Sequence, residues 1–84
     1  MSGKVLLFGR LKDAFGASFV ALPEGVATVA TLRLRLAEIH PDLAAQIIAK
    51  SVRIAVNQQL VAEEATARIS ATDEIAMLPP LSGG

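Results

Sequence analysis

His40, the adjacent carboxylates Glu63 and Glu64, the hydroxyls of Thr28 and Thr31, Gly9 and Gly16, and the closing Ser82-Gly83-Gly84 are the residues whose types could do chemistry. Most lack the partners that chemistry requires. His40 is the only imidazole and there is no cysteine, so neither a nucleophile–base dyad nor a thiolate or imidazole metal site can be assembled. Lying just before Pro41, His40 reads as a cationic or capping residue at a helix end. Glu63 and Glu64 are neighbours, so on an extended segment they point to opposite faces and read as a solvated pair. Gly9 and Gly16 are not set in GxGxxG or GxxxxGK[ST], which a phosphate-cradling loop needs. Thr28 and Thr31 suit helix capping or surface positions better than nucleophilic roles.

That elimination leaves the end of the chain, "MLPPLSGG". Chance or a cloning linker could also leave two closing glycines. Pro79 and Pro80 end sheet pairing and bias the following backbone to extended conformations. Beyond them Leu81, Ser82, Gly83 and Gly84 would form a thin arm with a carboxylate at its tip. Glycine also permits backbone geometries closed to other residues, so such an arm can thread a narrow active site. Its shape suits a substrate and not a catalyst. Coupled to AMP, the carboxylate would become a mixed anhydride, from which sulfur gives a thiocarboxylate or an amine gives an amide.

Composition bounds the rest. Eighty-four residues make one domain, with 79–84 as its tail. Eight basic and eight acidic side chains cancel, and neither Trp nor Tyr is present, so the basic face and stacking aromatics of a nucleic-acid binder are not evident. No apolar run approaches a membrane span, and the opening "MSGKVLLFGR" is too short in apolar residues for a signal peptide. A cysteine-free chain fits a reducing compartment, so the cytoplasm is expected. Mean hydropathy of +0.50 is high for so small a domain and implies an exposed apolar patch that meets a partner.

Several elements must position the arm. "KVLLFGRL" (4–11) reads as a strand, apolar at both parities and hence covered on both faces. A short loop with Gly16 leads to a second strand, "SFVAL", and a hairpin. Val29, Leu32, Leu36 and Ile39 fall at helical spacing behind a Thr28 cap, leaving Arg33 and Arg35 outside and Leu34 off the stripe. "DLAAQIIAK" is consistent with a short second helix. "SVRIAV" is a strand with Val52, Ile54 and Val56 on one face, Asn57-Gln58 its turn and "QLVA" its short partner. The last strand is "DEIAMLPP", with Ile75 and Met77 alternating against Ala76 and Leu78. The order β-β-α-β-β-β gives an α+β domain, a mixed sheet packed on one main helix.

These residues together resemble a known family. "KVLLFGRLKDAFG", "TVATLRLRLAEIHPDL", "IAVNQQLV" and above all "DEIAMLPPLSGG" are similar to the small, sulfur-carrying subunit of molybdopterin synthase, the MoaD type, of the ubiquitin-like MoaD/ThiS group. The chain departs from it in having "SATDE" where an Asp-Gly turn is common, and Met77-Leu78 where a second aromatic often precedes the prolines. The resemblance implies a β-grasp fold. It implies that an adenylating enzyme of the MoeB type attaches AMP to Gly84, consuming ATP, and that a sulfur donor makes the thiocarboxylate. The tail, kept slender by Gly83, would then enter the large synthase subunit (MoaE type) and give its sulfur to cyclic pyranopterin monophosphate. The resemblance further places Phe8, Lys12, Leu60 and Leu78 at the partner surface with Pro79, Pro80, Leu81 and Ser82. No bound cofactor is implied for this chain, which acts as a non-catalytic subunit of a sulfurtransferase complex. A ThiS-like carrier for thiamine or another sulfur metabolite, and a ubiquitin-like protein modifier, share the first chemical step.

Overall fold

The structure, a computed structural model, describes residues 3–80. Strand β1 (Lys4–Leu7) is followed by helix α1 (Gly9–Phe15) and strand β2 (Phe19–Ala21). The main helix α2 (Val29–Ile39) leads through a 3-10 turn at Pro41–Leu43 into the short helix α3 (Ala44–Ile48). Strands β3 (Arg53–Val56), β4 (Gln59–Leu60) and β5 (Ile75–Leu78) complete a five-stranded mixed sheet of order β2-β1-β5-β3-β4. At its centre β5 runs parallel to β1, with Leu7 beside Met77, and antiparallel to β3, with Arg53 beside Leu78.

Period-two alternation sorts the sheet into a buried and an open face. Val5, Leu7, Ile54, Ile75 and Met77 turn inward against Val29, Leu32 and Leu36 of α2, and all are fully or nearly fully buried. Leu6 is only half-buried and Phe8 is exposed, so β1 is covered on one face and not, as its composition suggested, on both. Thr28 caps α2 as expected. Its Oγ1 accepts from the Thr31 N–H (3.2 Å), and the Thr31 Oγ1 accepts from the Thr28 N–H (3.0 Å), closing a reciprocal box. Leu34 is exposed as its spacing implied, but so is Ile39, at 47%. At the C-terminal end of the helix the stripe has run past the sheet, and the ring of His40, the C-cap residue, packs edge-on against Phe15 (5.0 Å).

Further expectations are corrected by non-local contacts. The strand expected through Leu11 stops at Leu7, and β1 and β2 pair antiparallel across helix α1 instead of a short loop. Gly9, at φ +54°, turns the chain out of the sheet, and the Phe8 carbonyl accepts from the N–H groups of Leu11 and Lys12. Leu11 then drops into the core, and Gly16 (φ +71°) ends the helix by donating to the Lys12 and Asp13 carbonyls.

Arg33 does not lie outside. It is 9% exposed, and its guanidinium donates to the carbonyls of Ile47 (2.6 Å), Ala49 (3.2 Å) and Val52 (2.9 Å). Glu64, expected to be a solvated surface carboxylate, holds the same guanidinium through both oxygens, at 2.9 Å to Nε and 2.5 Å to Nη2. One fork-shaped cation therefore ties α2 to the end of α3, the approach to β3 and the connector before β5.

Asn57 and Gln58 form the β3–β4 turn at φ +52° and +71°, the two left-handed residues of a tight hairpin. The Asn57 side chain reaches on to β5: its Oδ1 accepts from the Glu74 N–H (3.0 Å) and its amide donates to Asp73 (3.1 Å). A hydrogen bond from the Ser70 backbone N–H, reinforced by the Asn57 amide, holds the Asp73 carboxyl below its ordinary value of 3.8. A carboxyl depressed in the folded state stabilises it above the unfolded value and loses that contribution as pH falls through the folded one. Asp73→Asn is therefore expected to lower the urea midpoint at about pH 7, and the gap to wild type should narrow as pH falls below the ordinary carboxyl value and through the lower folded one.

Candidate functional site

The sheet register builds a surface at the foot of the tail. Leu78 lies on the open face, Arg53 stands opposite it on β3, and Phe8 follows Leu7, whose parallel partner is Met77. Leu60 lies opposite Ala55, two residues along β3 from Arg53 and so on the same face. Neighbours two strands apart and distant in sequence thereby converge. Phe8, Leu60, Leu78, Pro79 and Pro80 line one open groove of about 550 Å³, together with Arg53. Phe8 is 45% exposed and Leu60 56% exposed. This is the apolar surface that the high hydropathy required.

Gly9 fixes how the tail leaves that groove. A Cβ built on it would lie 2.9 Å from Pro79 Cγ, closer than side chains approach, so the start of α1 and the first residue after β5 fit together only because Gly9 is bare. Pro79 and Pro80 form the ridge between this groove and a smaller one of about 160 Å³ on the other side, lined by Leu11, Ala49 and Val52 among others.

Of the residues expected at the partner surface, Phe8, Leu60, Leu78, Pro79 and Pro80 thus come together. Lys12 is exposed on α1 and does not line the groove. Leu81, Ser82, Gly83 and Gly84 lie outside the described residues. Arg53 and Gly9 were not foreseen. Arg53 becomes legible only once β3 is set against β5 in register, and Gly9 only once Pro79 is placed beside it. Among the described residues no three His, Asp or Glu side chains gather as metal ligands, and no helix is long and apolar enough to cross a membrane.

Because Phe8 and Leu60 are exposed, replacing them should cost the fold little, within about 0.5 kcal/mol. Leu60→Asp is expected to weaken binding to a partner seated on the groove by at least ~30-fold, the effect of losing an apolar anchor worth about 2 kcal/mol, with Phe8→Ala close behind. Isothermal titration against that partner, beside a thermal melt of each variant, checks both halves.

The profile of the ThiS family matches residues 5–84. The chain is 34% identical over 83 residues to the molybdopterin synthase sulfur carrier subunit of Dictyostelium discoideum, covering 96% of this chain and 94% of the relative. It is 30% identical over 80 residues to the molybdopterin synthase sulfur carrier subunit of Haemophilus influenzae, covering 95% and 96%. Among solved structures it superposes on the small archaeal modifier protein 1 of Methanosarcina acetivorans with a TM-score of 0.80 at 27% identity, covering 100% and 99%. On SAMP1 from Haloferax volcanii the TM-score is 0.79 at 27% identity, with both chains fully covered. The sheet order, the main helix and these superpositions agree with the expected ubiquitin-like β-grasp.

Proposed function

The chain belongs to the ThiS family, and on that premise we propose that it is a cytoplasmic sulfur carrier for molybdopterin biosynthesis, acting as the small subunit of a molybdopterin synthase. The observation that carries this reading is geometric. The central strand ends at Leu78, and Pro79 and Pro80, the residues that precede the last four of the sequence, line an exposed apolar groove. A partner seated on the groove receives the stretch beyond Pro80. With Gly84 as the last residue, that stretch is Leu81, Ser82 and two glycines ending in a carboxylate.

The chemistry proceeds on the partners. In an adenylating enzyme the Gly84 carboxylate attacks the α-phosphorus of ATP and pyrophosphate leaves. Hydrosulfide supplied by a sulfur donor then adds to the acyl carbon and AMP departs, leaving the thiocarboxylate. In a large synthase subunit the sulfur passes to the pyranopterin, and water returns the terminus to a carboxylate. This chain supplies the docking face and the reactive end, and ATP is bound by the activating enzyme. Gly83 and Gly84 keep the arm slender, while Phe8, Leu60, Leu78, Pro79 and Pro80 seat the partner, and Lys12, Leu81 and Ser82 add further contacts to it.

Incubation with ATP, the adenylating enzyme and a sulfur donor should raise the intact mass by about 16 Da, one oxygen exchanged for sulfur. No gain alongside a carrier that the same enzyme does load rejects the reading. The likeness to proteins named as modifiers favours one second reading, ligation of Gly84 to lysines of other proteins. Tagged protein that forms higher-mass conjugates in cells, lost on removing Gly84, would establish it.

A further inference from the structure

The zero net charge of the chain conceals two oppositely charged ends. The groove at the foot of the tail meets a second groove, of about 490 Å³, at Arg53, which lines both. The second groove adds Lys50, Ile48 and Val61 to its lining, and its one carboxylate, Glu64, is already engaged by Arg33. Lys50 and Arg53 are exposed, and neither forms an ion pair among the described residues. At the opposite end, where β5 begins, the surface depressions are lined by Glu24, Asp73 and Glu74. Among the described residues the one cation that lines them, Lys4, has its ammonium over the Phe19 ring, 4.6 Å from the centroid.

Resting on the carrier reading above, we infer that the face around the tail is a cationic docking surface whose occupant is a protein patch of matching character, an apolar plug flanked by carboxylates set opposite Lys50 and Arg53. Pro80 lines the first of these grooves and residues 81–84 follow it in sequence, so a partner that takes them into its active site comes close to this face. Two unpaired cations beside an apolar groove repel a basic rim and attract an acidic one across the last ~10 Å of approach. The negative end points the other way, so the charge distribution orients the domain tail-first as well as attracting it. A second copy presenting the same face would set cation against cation. A site for a small anion would need convergent buried donors, whereas Lys50 and Arg53 are exposed along an open groove.

The test uses the full chain with the adenylating enzyme, reading kcat/KM for thiocarboxylate formation by intact mass at about 20 mM and about 500 mM NaCl. Lys50→Glu/Arg53→Glu should lower kcat/KM at low salt at least ~10-fold, and the deficit should shrink below ~3-fold at high salt, where screening acts within a few ångströms. The milder Lys50→Gln/Arg53→Gln should show a smaller loss with the same salt signature. The reversal Glu24→Lys/Glu74→Lys at the far end should change the low-salt value less than ~3-fold. Failure of the wild type to gain sulfur sinks the carrier reading. Sulfur gain with an unaltered Lys50/Arg53 variant, or with a loss that salt does not relieve, sinks only the docking surface. Saturable chemical-shift changes at Lys50 and Arg53 on adding inorganic phosphate would assign the face to a small anion, and salt-sensitive dimerisation of the chain alone would assign it to a second copy; either overturns the inference.

Discussion

Deleting Gly84 is expected to abolish sulfur loading, with at least ~10³-fold loss of thiocarboxylate formation while the fold melts at its original temperature. The terminal carboxylate would retreat by one residue, ~3.3–3.6 Å. A misplacement of about 1 Å at a reacting centre already costs ~10²-fold, so a whole residue takes the acid out of reach of ATP. Adding one residue that is not trimmed should be equally damaging, because Gly84 then holds an amide in place of an acid. Gly83→Ala/Gly84→Ala separates reactivity from passage. It keeps a carboxylate at the right distance and adds two methyl groups to the arm, so it should be loaded and consumed far more slowly than wild type. Intact mass for loading, and single-turnover sulfur transfer for delivery, check each step. Normal loading of the truncated chain would remove the reactive role from Gly84.

Replacing Arg33 by alanine is expected to consume much of the stability of the domain. The substitution leaves the Ile47, Ala49 and Val52 carbonyls without their guanidinium donor and Glu64 without its counter-charge. Breaking one side of a buried ion pair typically costs ~3–5 kcal/mol, and with the Glu64 side chain 26% exposed the lower part of that range applies. At ~0.05–0.15 kcal/mol per residue, a chain of this length holds only about 4–13 kcal/mol in total. A fall in Tm of the order of 15–30 °C is expected, measured by calorimetry or circular dichroism. Arg33→Lys should recover part of the loss, because an ammonium keeps the charge but cannot span three carbonyls and a carboxylate from one plane. Glu64→Gln should cost less than Arg33→Ala, since the guanidinium retains its carbonyl acceptors. Equal melting of wild type and Arg33→Ala would show that the pair is a passive surface contact.

The contrast between these two sites explains what could be read from sequence. The end of the last strand was legible because its signal is local: two prolines stop the ladder after Leu78. Thr28 and Asn57-Gln58 were legible for the same reason, since cap and turn chemistry act over three or four residues. Periodicity marked the apolar stripe of α2 but assigned Arg33 to the solvent side, because it scores a guanidinium as polar. It takes no account of a long side chain folding back beneath the helix to meet carbonyls from another element. Helix α1 was missed because the turn at Gly9 is favoured by the packing of Leu11 in the core and of Pro79 beside the glycine, neither of which leaves a local pattern. The groove needed most of all what a sequence withholds, the adjacency of the first and last strands.

That adjacency also has a mechanical meaning. Strand β5 is paired with β1 over Ile75–Met77 and with β3 over Ile75–Leu78, so it is held on both sides for nearly its whole length. Traction on the tail acts along the strand axis, across bonds that lie crosswise to it, so the two ladders bear the load collectively and do not unzip one rung at a time. On the carrier reading proposed above, a partner that draws the terminus into a tight channel would therefore leave the anchoring sheet intact.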